Sequence, residues 1–237
     1  FSSLKIESFT LPSHVKRIGK CAFYSCSKLR IFNISEDSEL ETIEKHAFSD
    51  SKIEYLFVPS KLVNLNKGWC SSMDKLTKIK ISPKNPKYSF FDEKIIVGKS
   101  TEKSKNYDSI VFCVRNIESI TIPSFIKYIE SYSFSKCEQL RKIQFSSKSK
   151  LLKICKEAFS HTSIEKVILP HHLTEIGKYC FSNCHQLNTI EIPKNSQLQT
   201  IGERAFFNSP IKSLTIQTSI LNLMDGWCST TPELKDI

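Results

Sequence analysis

Residues 165–187 read EKVILPHHLTEIGKYCFSNCHQL. Apolar side chains stand at Val167, Leu169, Leu173, Ile176, Phe181 and Leu187; Pro170 closes the first apolar pair, and Cys184 follows Phe181 by three positions. One strand, one turn and one short return cannot bury these side chains alone, so the unit needs a neighbour on each side. The chain supplies them. Residues 118–140, ESITIPSFIKYIESYSFSKCEQL, carry the pattern 47 positions earlier, with Cys137 in place of Cys184. Residues 7–29, ESFTLPSHVKRIGKCAFYSCSKL, carry it 158 positions earlier, with Cys26 in that place. Self-similarity at a period of about 20–29 residues predicts a stacked solenoid.

In order the units are 7–29, 30–53, 54–76, an expanded 77–117, 118–140, 141–164, 165–187, 188–211 and 212–234. One subtype ends FxxC, as at Phe23/Cys26, Phe134/Cys137 and Phe181/Cys184. A second carries Ala47-Phe48, Ala158-Phe159 or Ala205-Phe206, and a third Gly68-Trp69-Cys70 or Gly226-Trp227-Cys228. Residues 7–76 and 165–234 match subtype by subtype at a constant offset of 158, which points to duplication of a three-unit block.

Each unit opens on an alternating segment such as Ile117-x-x-Ile120-x-Ile122-Pro123. Period two predicts a strand with one buried face, and the proline ends it because it cannot donate to a ladder. Stacking sets these strands side by side in one parallel sheet, with right-handed connections by default. The Ile-Gly-x-x-Ala-Phe stretch that follows predicts a short turn of 3₁₀ or α-helix on the other side, with the phenylalanines in an internal column. Residues 77–117 hold 41 residues. Their β-rich runs Ile95–Val97 and Ile110–Val114, around the polar stretch 98–109, predict a hairpin with a mobile tip.

Composition bounds the function. Hydrophobic residues form 40% of the chain and are regularly placed, which excludes disorder. The formal charge of +10 sits mostly on lysines in the turns, where a solvated surface is the plain reading and an acidic partner or anionic cell surface the sharper one. No apolar run approaches the length of about 20 residues that spans a bilayer, so no direct membrane insertion is expected, and no signal peptide is visible. The chain opens at Phe1 and closes at Leu234–Ile237 inside the pattern, without recognisable polar caps. It reads as a single solenoid over residues 1–237, cut from a longer array.

The pattern IxIPxxxxxIgxxaFxxCxxL resembles the BspA-like, or Treponema-type, class of leucine-rich repeats, over nearly the whole chain. Asn85-Pro86-x-Tyr88, followed by Phe91-Asp92 and an Ile/Val run, is similar to the hairpin that interrupts arrays of this family. The resemblance implies a leucine-rich-repeat solenoid from the surface of a host-associated bacterium or a mucosal protozoan parasite, with a tendency toward adhesion to host cells or matrix. Abundant Lys, Ile, Ser and Asn suit the protozoan source.

Nine cysteines follow the repeat rather than a disulfide framework, and the odd count leaves at least one without an intrachain partner. Cys26, Cys137 and Cys184 share a position with Ser51, Thr162 and Ser209, a ladder of side chains able to donate to the neighbouring turn's carbonyls. Cys70 and Cys228 stand where other units have Phe, so they read as buried. His161, His171, His172, Cys180, Cys184 and His185 form no paired ligand set, and no metal or cofactor is expected. No GxSxG, no phosphate loop and no recurring carboxylate pair argues for catalysis. Basic residues are not interleaved with aromatics in any nucleic-acid module. Asn33-Ile34-Ser35 matches a glycosylation sequon inside a predicted strand, a match that chance produces often.

If Ile120 and Ile122 face inward, two columns face outward. The first runs Ser8, Ile31, Tyr55, Lys78, Ser119, Lys142, Lys166, Thr189, Ser213; the second runs Thr10, Asn33, Phe57, Lys80, Thr121, Gln144, Ile168, Glu191, Thr215. Most are polar, but Ile31, Tyr55 and Phe57 cluster beside Lys78 and Lys80. Exposed aromatics flanked by cations suit a protein or glycan ligand; the bland alternative is that the hairpin folds over them. The expectation is a non-enzymatic surface or secreted binding module. An intracellular scaffold is the alternative, favoured by reduced thiols. Open solenoid ends also allow end-to-end or edge-mediated self-association.

Overall fold

The computed structural model describes residues 1–231 and 234; of the closing segment named above, residues 232, 233 and 235–237 lie outside the described residues. The chain divides into two compact units, Phe1–Tyr107 with Val111–Arg115 and Asp108–Ile110 with Asn116–Ile237. Each unit is built from turns of a parallel β-solenoid.

In the first unit the strands are β1 (Ser8–Thr10), β2 (Arg17–Ile18), β3 (Ile31–Asn33), β4 (Thr42–Ile43), β5 (Tyr55–Val58), β6 (Asn64–Leu65), β7 (Lys78–Ile81), β8 (Tyr88–Phe91) and β9 (Ile95–Gly98). β10 (Ser109–Cys113) begins in the second unit and ends in the first. The second unit holds β11 (Ser119–Ile122), β12 (Tyr128–Ile129), β13 (Lys142–Phe145), β14 (Lys153–Ile154), β15 (Lys166–Ile168), β16 (Glu175–Ile176), β17 (Thr189–Glu191), β18 (Thr200–Ile201) and β19 (Asn222–Leu223).

Two kinds of ladder stack the turns. The period-two segments pair in parallel as β1–β3 and β5–β7, and as β11–β13–β15–β17. A second ladder of two-residue strands runs β2–β4–β6 in one unit and β12–β14–β16–β18–β19 in the other, where it aligns Ile129, Ile154, Ile176, Ile201 and Leu223. Ring columns lie inside. Phe1, Phe23 and Phe48 stack at 5.4 and 5.6 Å. Phe134, Phe159, Phe181 and Phe206 stack at 4.8, 5.3 and 5.9 Å, and Trp227 meets Phe206 edge-on at 6.3 Å. Burying each ring stabilises its turn by about 2–3 kcal/mol, but only because the next turn supplies the other wall.

The return segments correct one expectation. Among the described residues there is no α- or 3₁₀-helix. Each return instead carries two left-handed residues four positions apart, such as Cys21 and Ser25 (φ 56° each), Tyr132 and Lys136 (65° each) or Tyr179 and Asn183 (53° and 56°). The reason lies in the backbone bonds. Tyr179, Phe181 and Asn183 donate their N–H groups to Glu203, Ala205 and Phe207 of the next turn at 2.8–2.9 Å, while Cys180 and Ser182 donate to Gly177 and Tyr179 of their own turn at 3.2 Å. A helix would aim every N–H along its own axis and leave the neighbouring carbonyls unpaired. Alternation satisfies both turns, at a cost of about 1–2 kcal/mol per left-handed residue.

The middle of the expanded segment differs as well, holding three strands, β8 to β10, where two were expected. The tight hairpin joins β8 to β9 in antiparallel register, Tyr88 opposite Gly98 and Phe91 opposite Ile95. Asp92 and Glu93, left-handed with φ of 52° and 50°, turn the three-residue connection 92–94, and Lys94 N–H donates back to the Phe91 carbonyl at 3.1 Å. The Ile110–Val114 run contributes from the far side of β9, where Val114 donates to the Lys94 carbonyl at 2.9 Å. Buried Asn85 fastens the hairpin. Its amide donates to the Pro59 and Leu62 carbonyls at 2.8 Å each, and its oxygen accepts from Lys87 and Tyr88 N–H at 3.0 and 2.8 Å.

Candidate functional site

Strand register settles which side chains share a face. In the first unit Ser8 lies opposite Ile31, Tyr55 opposite Lys78, and Phe57 opposite Lys80. In the second, Ser119, Lys142, Lys166 and Thr189 form one row that continues to Ser213 through a parallel bridge, and Ile168 lies opposite Glu191. Alternation turns these side chains away from the core while their strand neighbours Leu56, Ile79 and Val167 are buried.

The patch chosen from sequence is only partly on the surface. Ile31 is 56% exposed and Tyr55 42%, whereas Phe57 is 4% exposed. That corrects the place given to Phe57. The Lys80 ammonium stands over the Phe57 ring, 5.8 Å from its centroid, and pairs with Glu36 at 3.3 Å. Phe57 supports the patch from beneath; Ile31, Tyr55, Lys78 and Lys80 line it. The hairpin does not close over Ile31 or Tyr55, because Asn85 ties it to the loop that follows β5.

The ladder position of Cys26, Ser51, Cys137, Thr162, Cys184 and Ser209 is buried throughout. Cys26 donates to the Phe1 carbonyl at 3.1 Å, Cys184 to Phe159 at 3.1 Å and Ser209 to Phe181 at 2.7 Å, all in the preceding turn. Two members depart from the expected pattern. Thr162 donates within its own turn, to the same Phe159 carbonyl at 2.9 Å, and the Ser51 hydroxyl has no partner among the described residues. Burial pushes the Cys184 thiol up to about 11, against the contrary pull of the Thr162 hydroxyl, and raises Cys180 well above the ordinary thiol range. Thiols held protonated are poor nucleophiles and poor metal ligands. Cys70 is fully buried and Cys228 only partly so. Among the described residues no group of three or more His, Cys, Asp or Glu side chains is placed to hold a metal ion.

Sequence reasoning passed over a groove on the second unit. It encloses about 670 Å³ over the outward face of β13 and β15 and the loops that follow β13, β15 and β17. Lys142, Gln144, Lys166, His171 and His172 are in its lining together with Ile168, which is 53% exposed. No carboxylate is among the described residues that line it. Beside it, the Glu191 carboxylate accepts from Lys166 at 2.5 Å. The signal was present as Ile168 in a polar column, but one strand cannot show that the loops beyond it rise into walls.

Comparison with known proteins follows from this geometry. A model of the BspA type leucine-rich repeat region, in six copies, matches residues 1–101 and 105–232. The chain belongs to that family. Among solved structures, this BspA-type chain is similar to the pneumococcal vaccine antigen PcpA, with a TM-score of 0.68 and 23% identity over 98% of this chain and 50% of that one. It is similar to a leucine-rich repeat protein of Eubacterium ventriosum, with a TM-score of 0.78 and 18% identity over 98% and 66% of the two chains. A leucine-rich cell surface protein of Faecalibacterium prausnitzii matches with a TM-score of 0.65 and 21% identity over 93% and 59%. The BspA-type chain thus spans half to about two thirds of these relatives, which are bacterial, and at such identities they attest the fold alone. A search of curated proteins finds no match.

Proposed function

We propose that this BspA-type repeat chain is a non-enzymatic adhesion module of a surface or secreted protein, binding a protein or glycan ligand of a host cell or matrix through its outward ladder face. One observation carries the reading. Half-exposed apolar side chains, Ile31 and Tyr55 in one unit and Ile168 in the other, interrupt largely polar columns, and lysines stand beside Tyr55 and Ile168. Apolar anchors ringed by polar and cationic groups are what an interface core and rim require. The similarity to a vaccine antigen and to a cell surface protein supports an extracellular location. The positive balance hastens encounter with anionic surfaces and makes it sensitive to salt.

The test is saturable binding of the purified protein to intact epithelial cells, against a Tyr55→Ser/Lys78→Glu variant and an Ile168→Asp variant with unchanged circular dichroism. Binding weakened at least tenfold by either variant supports the reading. Full binding by both moves the interaction off the ladder face. Absence of binding into the hundred-micromolar range favours a second reading, an intracellular scaffold. That reading draws on nine cysteines outside any disulfide, seven of them buried, which suit a reducing compartment.

A further inference from the structure

The groove of the second unit has a more definite chemistry than the rest of the ladder face. We infer that it takes an acidic peptide segment of a protein partner, with one aliphatic side chain seated on Ile168 and carboxylates meeting Lys142 and Lys166. This rests on the adhesion-module reading and names the ligand class for one part of that surface.

The charge of the walls is one-sided. Lys142 stands opposite Lys166 in the strand register, so two ammonium groups share one row at neighbouring turns. Like charges at that spacing repel each other, and a bound carboxylate between them removes the repulsion as well as adding attraction. Lys166 already holds Glu191, but Lys142 has no carboxylate partner among the ion pairs of the described residues. No acid is among the described lining residues and Glu191 beside them is already paired with Lys166, whereas a basic segment meets the like charges of Lys142 and Lys166.

The floor and far wall specify a peptide. Ile168 presents an aliphatic surface in the groove, and the half-buried Phe145 and Pro193 line it as well. An aliphatic side chain placed there buries roughly 50–60 Å² against them, which strengthens binding several-fold to tenfold. Gln144 and Gln197 in the lining carry both a donor and an acceptor, the pair that a peptide bond needs. About 670 Å³ accommodates a few residues rather than a folded domain. The partner therefore offers a loop or a tail.

The experiment uses the whole chain and a fluorescein-labelled dodecapeptide of glutamate, glycine and serine with a central leucine, read by fluorescence anisotropy. Two controls replace the leucine by serine or the glutamates by lysines. The expected result is micromolar binding of the acidic leucine peptide that weakens at least tenfold between 50 and 300 mM salt. It weakens five- to tenfold with the serine control, at least tenfold with Ile168→Asp or Lys142→Glu, and not at all with Tyr55→Ser in the other unit. Circular dichroism verifies that each variant is folded. No anisotropy change up to 1 mM, equal binding of the lysine peptide, or indifference to Lys142→Glu overturns the inference. So does binding of a heparin hexasaccharide that Ile168→Asp abolishes, with no peptide bound. The epithelial-cell assay runs beside it: cell binding without peptide binding overturns this inference and leaves the adhesion module, while loss of cell binding with the peptide still held overturns adhesion alone.

Discussion

Gly202 tests the stacking of the turns at a single atom. A Cβ built there would lie 2.6 Å from the Gly177 carbonyl carbon, 2.6 Å from Lys178 N and 3.0 Å from Ile176 O, all backbone of the preceding turn. Ordinary contact begins at 3.4 Å, so Gly202→Ala forces the two turns apart by about 0.8 Å. The bond from Gly202 N–H to Ile176 O, now 2.8 Å, takes the strain first. Overpacking of this kind costs about 1–3 kcal/mol and one weakened backbone bond about 1 kcal/mol more, so the variant should lose about 2–4 kcal/mol. For a chain of this size that lowers Tm by roughly 5–15 °C. Gly19→Ala is the control, because an added Cβ there meets nothing within 4 Å. Thermal and urea unfolding followed by circular dichroism measure both. A Gly202→Ala loss under about 0.5 kcal/mol, or an equal loss at Gly19, would refute the reasoning that turn spacing is set by backbone contact at this position.

Other outcomes follow from particular contacts. Ser209→Ala removes the bond to Phe181 O and the acceptor for Cys184 N–H and should cost about 1–2 kcal/mol, whereas Ser51→Ala removes a hydroxyl without a partner and should be neutral or slightly stabilising in urea titrations. Asn85→Leu strands two buried carbonyls and two N–H groups; it should cost about 3–4 kcal/mol and speed amide exchange in β8 before the rest of the first unit. Cys184 is neutral when folded and its thiol is raised to about 11. Its contribution is full below the unfolded thiol value near 8.5 and is lost as pH rises through about 11, so unfolding free energy should fall over that window, less steeply in Cys184→Ser. Under native conditions at pH 8 a disulfide reagent should titrate Cys21 and Cys228 first, the seven buried thiols reacting only at the rate of unfolding.

How much of this was legible depends on range. The apolar period announced the solenoid because each turn repeats the same local arithmetic, and the two outward columns followed from alternation alone. The return segments were misjudged because Ile-Gly-x-x-Ala-Phe has helix-compatible composition. The competing demand, that Tyr179, Phe181 and Asn183 donate to the next turn, is a tertiary hydrogen-bond requirement invisible in one repeat. Phe57 was misplaced for a similar reason. Its column position is outward, but it is buried, with the Lys80 ammonium over its ring and Glu36 from two turns away paired to that lysine. The groove needed three loops at once, and only Ile168 flagged it in sequence.

The most direct test of the central claim is covalent capture at the ladder face. A photo-crosslinking phenylalanine analogue is introduced in place of Tyr55, of Ile168, or of Tyr24, which is exposed on a return segment. Each protein is illuminated on epithelial cells and the adducts are resolved by mass spectrometry. The ladder-face account predicts a host-surface adduct from position 55 or 168 and none from position 24. Adducts from position 24 alone would contradict it.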